Sequence, residues 1–393
     1  MIDLAYQKDG NVLTIFFTGH IDATHAPDVE EAARAIIDRE GCTDLVIDCE
    51  NLSFLSSAGI RIVLRLAKQV SSFKMVNVPT DVYEVLDMTG LTEMIDISKA
   101  FRTVSVEGCP VIGYGANGVV YRIDPETICK VPRNDLSLPD IDRERRLSRA
   151  AFVAGIPTAI PYDVVRVDGK YGTVFELLNA SSMADLLVKG QYTLQKVADE
   201  SVELLKQMAE ATVDPSIIPS TKEDALTWID DIADQLDPET LGRVRELFEA
   251  VPDSNHMVHG DFHIKNVMVQ DGEPLLIDLD TLSHGDPVFD LAATYSAYVG
   301  YGKVDPAKID NFLRISHVET AKLWNLILEG YLSDRTKDEI AAAQDRIRLV
   351  SAVRLMGQPR RHGKLGTPEG DKVIATYRAI IEETLPWVTS IAL

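Results

Sequence analysis

The chain has 393 residues, 46% hydrophobic and 25% charged, which excludes a disordered tail protein, a collagen-like fibre and a disulfide scaffold. At about 150 residues per domain the length accommodates two or three domains. Lys and Arg number 39 against 61 Asp and Glu, a net charge of −22, so neither nucleic acid nor an anionic membrane surface is expected as a partner. No stretch approaches the ~20 apolar residues of a membrane span. Met1-Ile2-Asp3-Leu4-Ala5 lacks the basic start and apolar run of a signal peptide. Cys42, Cys49, Cys109 and Cys129 are scattered without CxxC spacing and read as free thiols in a reducing cytoplasm.

In chain order, residues 1–105 alternate strand and helix. Asn11 to Thr18 is a β-rich run, Pro27 to Glu40 an amphipathic helix opened by proline, and Asp44 to Cys49 a short buried-strand pattern. Ser57 to Val70 is predicted as helix with Ile60, Val63, Leu64 and Ala67 on one face. Phe73 to Val78 returns to strand, and Thr80 to Met88 is helix, stopped at Gly90. The alternation implies an α/β domain, a sheet with helices packed on it. Periodicity lapses over Lys99 to Cys109, where Gly108 and Pro110 mark a boundary. From Val111 hairpin-like strands follow, VIGYGANGVVYRI and TICKVPR about an Asp124-Pro125 turn. A helix from Pro139 to Ala154 ends at Gly155, and Tyr162 to Val167 pairs with Gly172 to Leu177 about Asp168-Gly169. From about Met183 the pattern is helical, interrupted by Met257 to Leu282. The second domain is thus expected over 108–393, β-rich to about 178 and helical from 179.

Residues 50–60 read Glu-Asn-Leu-Ser-Phe-Leu-Ser-Ser-Ala-Gly-Ile, a strand end, a tight loop and a helix start at Ser57. Unpaired N–H groups at a helix N-terminus favour negative charge, so a phosphoryl group on Ser57 would sit in a favourable field. A serine at such a position is also, and more commonly, a plain N-cap. Gly19-His20-Ile21-Asp22-Ala23, the strand LVIDCENLSFL and SSAGIRIVL together resemble the STAS domain of sulphate transporters and anti-sigma-factor antagonists, over about residues 1–105. The resemblance makes Ser57, two residues before Gly59, the phosphoacceptor candidate and Asp22 the loop acid near it. The family often carries Asp just before that serine, where this chain has Ser56. A protein partner through this domain is what the resemblance implies.

Gly113-Tyr114-Gly115-Ala116-Asn117-Gly118-Val119-Val120 has the spacing GxGxxGxV. Between two strands, such glycines let backbone approach phosphates without a Cβ clash. A dinucleotide fingerprint would need a helix after the third glycine, whereas Val119 to Ile123 reads as strand. Lys130 follows amid apolar strand residues, where its charge needs a partner, and Glu144 on the next helix is the candidate. Each alone could equally be a snorkelling lysine or a carboxylate on a wet face. The decisive stretch is Val258-His259-Gly260-Asp261-Phe262-His263-Ile264-Lys265-Asn266, followed by a hairpin turn at Asp271-Gly272 and Ile277-Asp278-Leu279-Asp280. Asp261, Asn266 and Asp278 converge as one proton acceptor and two oxygen ligands suited to Mg²⁺.

This pattern resembles the aminoglycoside phosphotransferase and choline-kinase group of the bilobal protein-kinase-like fold, over about residues 108–393. The resemblance implies Asp261 as catalytic base, Asn266 and Asp278 as metal ligands, and Lys130 paired with Glu144. It implies Gly113, Gly115, Gly118 and Val120 as the loop over ATP. Phe175-Glu176-Leu177-Leu178 becomes a hinge whose Glu176 and Leu178 backbone meets adenine, and His263 takes the place of a phosphate-contacting lysine. Asp290 in GDPVFDLA would buttress the loop.

Tyr295, Tyr298 and Tyr301 lie at helical spacing and read as a cationic-substrate pocket or, more commonly, as packing. Arg354, Arg360, Arg361, His362 and Lys364 form a basic cluster, and Glu223-Asp224 through Asp230-Asp231 and Asp234 an acidic run. The basic cluster reads as a contact for phosphate or the other domain or, more commonly, as a solvated face, and the acidic run as an attractor of a cationic substrate or an ordinary wet helix. The expected protein is a cytoplasmic ATP- and Mg²⁺-dependent kinase of a small hydroxylated molecule, with the STAS-like domain as switch or docking module. The alternatives are a protein-serine kinase acting on Ser57 or a partner STAS protein, and a non-catalytic nucleotide-sensing switch.

Overall fold

A computed structural model describes residues 4–114, 118–134 and 138–393. The chain folds as two units, Met1–Ser105 with Val165–Asp168, and Val106–Val164 with Gly169–Leu393.

In the first unit, β1 (Tyr6–Asp9), β2 (Val12–Phe16), β4 (Asp44–Asp48), β6 (Ser72–Val78) and β7 (Asp96–Lys99) form one sheet in that order. The first pair is antiparallel and the others parallel. Period-2 alternation sets the buried face, with Leu13 and Ile15 on β2 and Leu45 and Ile47 on β4 fully buried. A separate parallel pair joins β3 (Gly19–Ile21) to β5 (Leu52–Leu55). Helices α1 (Ala26–Glu40), α2 (Ser57–Ala67) and α3 (Thr80–Met88) complete the α/β unit. Helix α2 ends at Ala67 rather than Val70, and buries Gly59, Ile60, Ile62, Val63 and Leu66. That i, i+3, i+4, i+7 stripe replaces the expected Leu64 and Ala67 face. Strands β1, β3 and β7 are not apparent in the sequence; each has three or four residues, and β1 is exposed throughout. The expected strand LVIDCENLSFL divides into β4 and β5.

The second unit opens with β8 (Val111–Tyr114), β9 (Gly118–Arg122) and β10 (Thr127–Pro132), then α4 (Leu138–Val153), β11 (Pro161–Val167), whose last three residues count with the first unit, and β12 (Lys170–Glu176). The five strands form one sheet, ordered β11-β12-β10-β9-β8. Asp168 and Gly169 both have positive φ, 48° and 83°, as a two-residue hairpin turn requires. The remainder is helical: α5 (Met183–Val188), α6 (Leu194–Glu210), α7 (Thr221–Asp231), α8 (Pro238–Glu249), α9 (Val288–Tyr295), α10 (Pro306–Leu313), α11 (His317–Tyr331), α12 (Lys337–Met356), α13 (Gln358–Arg361) and α14 (Pro368–Thr384). Short strands interrupt it: β13 (Ser181–Ser182), β14 (Met257–Val258), β15 (Val267–Gln270), β16 (Glu273–Leu276) and β17 (Ser283–His284). The β15–β16 hairpin turns at Asp271 and Gly272, φ 54° and 88°. This is the α+β lobe pair expected from the change of texture at Val111. Among the described residues no helix is long and apolar enough to cross a membrane.

Candidate functional site

Lys130 stands on β10 between fully buried Cys129 and half-buried Val131, cross-strand from Val120 and Thr173. Its ammonium has two carboxylate partners, Glu144 Oε1 at 2.6 Å and Asp278 Oδ1 at 2.6 Å. Glu144 reaches it because α4 buries Ile141, Leu147, Ser148 and Ala151, and helical spacing puts residue 144 on that same face. Burial works against the Lys130 charge, but the Glu144 and Asp278 carboxylates outweigh it and hold the ammonium well above its ordinary range.

Asp278 follows β16 and adopts φ 63°. A non-glycine residue in this left-handed region is uncommon, and such conformations cluster at functional sites. Because Val267 pairs with Leu276 across the hairpin and the Ile277 N–H donates to Asn266 O at 2.9 Å, Asn266 and Asp278 emerge beside one another. The Asn266 amide nitrogen donates to Asp261 O at 3.1 Å and lies 3.5 Å from Asp261 Oδ2. The loop 259–266 thus closes on itself through two of the candidate residues.

That loop is held from outside. Asp290 on α9, 4% exposed, accepts from the His259 N–H and the Gly260 N–H, each at 3.0 Å. Thr281 Oγ1 donates to His259 O, and the Ile264 N–H donates to the Tyr298 hydroxyl at 3.0 Å. Gly260 has φ +79°, and a Cβ there would lie 2.8 Å from Thr281 O, so only glycine fits. Burial pushes the Asp261 carboxyl up, but His263, His259 and Arg354 outweigh it and hold it below its ordinary value. Burial raises Asp290 above its own.

Of the glycines, Gly118 is the one packing demands: a Cβ would sit 2.8 Å from Val131 O, whereas at Gly113 it would meet Val120 at an ordinary 3.5 Å. Gly115 lies outside the described residues. In the segment 175–178, expected as a hinge, the Glu176 carboxylate accepts from the Ile160 N–H at 2.9 Å, and the Leu177 N–H donates to Glu126 O at 2.6 Å. Leu178 is half-buried at the end of this segment. His263 is buried, with Nε2 3.5 Å from Asp261 Oδ2 and its ring edge-on to Phe312 at 4.9 Å. The three tyrosines pack rather than line a cation pocket: Tyr295 is edge-on to Trp324, Tyr298 is fully buried, and the Tyr301 hydroxyl accepts from Gln358. The acidic run and the basic cluster are no separate wet faces. Arg361 pairs with Asp231 at 2.6 Å, Arg360 with Asp234 at 2.5 Å, and Arg245 on α8 with Asp230 at 2.5 Å.

In the first unit the Ser56 side chain, not Ser57, caps α2 by accepting from the Gly59 N–H. Ser57 is exposed at the first helical turn. The Ser56 N–H donates to Ile21 O at 2.9 Å, which brings the Asp22 loop alongside. Asp22 Oδ1 accepts from the His25 N–H and the Thr24 N–H, and the His25 bond leads in holding that carboxyl below its usual range.

Sequence reasoning missed Gly172 and Thr173. A Cβ at Gly172 would lie 3.0 Å from Cys129 Sγ and 3.1 Å from Lys130 O; a glycine inside a strand pattern is the available signal. The Thr173 hydroxyl, cross-strand from Lys130, is buried with no hydrogen-bond partner among the described residues. No three His, Cys, Asp or Glu side chains among the described residues converge as a metal centre.

The model of the phosphotransferase enzyme family matches residues 109–324, more than half of the chain. The chain belongs to the phosphotransferase enzyme family. The STAS domain model matches residues 3–106 of this phosphotransferase, and its N-terminal unit is a STAS domain. Among curated proteins, the anti-sigma-B factor antagonist of Listeria monocytogenes is 28% identical over 97 residues, covering 24% of this chain and 84% of the relative. Among solved structures, a choline/ethanolamine kinase family protein from Mesorhizobium loti is 14% identical with a TM-score of 0.48, covering 71% of this chain and 91% of that one. The ADP-bound aminoglycoside phosphotransferase APH(2'')-Ib is also 14% identical with a TM-score of 0.48, covering 76% and 97%.

Proposed function

We propose that the phosphotransferase unit moves the γ-phosphoryl group of ATP to a hydroxyl group of a small molecule, and that the STAS domain is its regulatory or docking module. The observation that carries this reading is the Lys130 ammonium bridging Glu144 and Asp278 at 2.6 Å each, with Asp278 following directly on Ile277, which hydrogen-bonds Asn266 of the Asp261 loop. Lys130 steadies the phosphates, and Glu144 keeps its ammonium aimed at them. Asp261 orients the acceptor hydroxyl and takes its proton as the new P–O bond forms, the bond to the bridging oxygen breaks and ADP leaves. Gly113, Gly115, Gly118 and Val120 cover the nucleotide, and backbone at Glu176 and Leu178 meets the adenine. His263, beside Asp261, meets a phosphate of the nucleotide and helps orient that carboxylate.

Asn266 and Asp278 are the residues that would hold Mg²⁺. Their donor chemistry fits: both offer oxygen, Lys130 occupies only Oδ1 of Asp278, and the Asn266 nitrogen is engaged by Asp261, which leaves its oxygen. Mg²⁺ takes one or two protein oxygens together with substrate phosphates, which accords with two such ligands and no closed carboxylate cage. Bound there, the ion would offset charge on the transferring phosphoryl group.

The test is a screen of hydroxylated acceptors with γ-labelled ATP, run with wild type, Lys130→Ala and Asp261→Asn. Label transfer by wild type alone supports the reading; transfer that survives both substitutions removes it. Phosphorylation of Ser57, in this chain or a partner STAS protein, is a second reading. It is favoured by the Ser56 cap, which leaves Ser57 exposed and unengaged in capping. Label on the protein that Ser57→Ala abolishes would select it.

A further inference from the structure

We propose that Arg354 is a positioning residue for Asp261, and that the paired acidic and basic clusters exist to hold it. The proposal rests on the reading of Asp261 given above. Arg354 belongs to α12, beyond the residues 109–324 that match the family. Its Nη1 donates to Gly260 O at 2.8 Å. The Gly260–Asp261 peptide group is therefore held at both ends, since the Asp261 N–H points to His259 Nδ1 at 3.3 Å. A glycine with φ +79° has no side chain to restrict its rotation. The orientation of that peptide plane sets the direction of the Asp261 side chain, so an external grip on its carbonyl oxygen acts on the carboxylate itself.

The arginine is in turn braced. Its guanidinium lies over the Trp228 ring of α7 at 5.4 Å, and Trp228 is edge-on to Phe289, the neighbour of Asp290. The Arg354 carbonyl oxygen accepts from Arg361 Nη2, whose Nη1 pairs with Asp231 at 2.6 Å. Arg360 adds a bond to Asp231 O at 2.7 Å and the Asp234 pair. Helix α7 and the segment 354–361 are thereby fastened together around one guanidinium. A charged, planar, multidentate donor can bond a carbonyl while stacking on an indole; a lysine keeps the charge and one bond but not the stack.

The test uses the full chain and needs no identified acceptor. Hydrogen exchange over residues 258–266 reads the grip, and Mg²⁺-dependent ATP hydrolysis, with water as acceptor, reads its consequence. In Arg354→Ala, exchange of this segment is expected to rise at least ten-fold. kcat falls at least ten-fold while the KM for ATP stays within two-fold and the melting temperature is unchanged. Arg354→Lys recovers part of both losses, and Arg361→Ala shifts both in the same direction by less. Unchanged exchange and kcat in Arg354→Ala overturn the proposal. So does a loss in which kcat, KM and melting temperature move together, the signature of a purely structural role. Should Arg354→Ala not fold, Arg354→Lys and Arg361→Ala decide by the same criteria. If wild type hydrolyses no ATP without an acceptor, the exchange measurement alone decides this proposal, and the phosphotransfer reading stands or falls on the acceptor screen.

Discussion

Replacing Lys130 by Met keeps the length of the buried stem and removes only the charge. Two carboxylate oxygens then face each other at no more than twice 2.6 Å, with the cation between them gone. The gross attraction removed is about 6 kcal/mol per contact at an effective dielectric of about 20. Relief of lysine desolvation offsets much of that, and breaking a fully buried pair costs about 3–5 kcal/mol net. Asp278 is 38% exposed and Glu144 13%, so solvent screening lowers the expected loss to about 2–4 kcal/mol. At about 2 °C per kcal/mol for a unit of this size, its melting transition drops by about 4–8 °C at pH 7.5. The pH dependence carries the specific test. In the variant, each carboxylate disfavours ionisation of the other, so one folded-state pKa rises above its unfolded value. The folded variant then binds protons that the unfolded chain releases, and lowering the pH stabilises it relative to wild type. The deficit is expected to shrink by roughly 0.5 kcal/mol between pH 7.5 and 5, because a shift of about one unit above an unfolded value near 4 is worth its full ~1.4 kcal/mol only below that value. Paired calorimetric scans at the two pH values measure it. A deficit that stays constant or grows on acidification would refute the claim that Lys130 neutralises two carboxylates.

Asp261→Asn keeps the loop hydrogen bonds but cannot take a proton; acceptor-dependent turnover should fall by about 10²–10⁴, with ATP affinity by calorimetry unchanged. Gly118→Ala forces a methyl against Val131 O at 2.8 Å, which should cost about 1–3 kcal/mol and raise the KM for ATP, read by chemical denaturation and steady-state kinetics. Ser56→Ala removes the α2 cap and should destabilise the STAS unit by about 1 kcal/mol. Ser57→Ala should stay within about 0.5 kcal/mol in the same denaturation experiment, separating the structural serine from the exposed one.

The two-part fold was legible because its signals are local. Period-2 runs such as Val12–Phe16 and Asp44–Asp48 and the helices opening at Pro27 and Ser57 declare themselves within a dozen residues. Two of the hairpin turns are written in Asp-Gly dipeptides at 168 and 271. Strands β1, β3 and β7 escape because three or four residues carry too little alternation, and β1 faces solvent. The start of helix α2 is legible, because a serine cap fixes it. Its buried face differs from the expected one by part of a turn, because Ile62, Leu64, Leu66 and Ala67 offer two apolar stripes that only the sheet beneath can choose between.

At the second site the same physics divides what could be read from what could not. HGDFHIKN and IDLD announce Asp261, Asn266 and Asp278 because one loop and one hairpin carry all three. The supports of that loop come from Asp290, Tyr298 and Arg354, up to 94 residues away. The family resemblance supplies Asp290; spacing within the loop says nothing about Tyr298 and Arg354. The acidic run of α7 and the basic cluster at 354–364 are each visible and each ambiguous, since a charged helix face alone is indistinguishable from a solvated one. Only their pairing, Asp231 with Arg361 and Asp234 with Arg360, turns two surface features into one brace. A polycationic acceptor would find Asp230, Asp231 and Asp234 already paired with Arg245, Arg361 and Arg360, so these three carboxylates are a poor guide to the charge of whatever reaches Asp261.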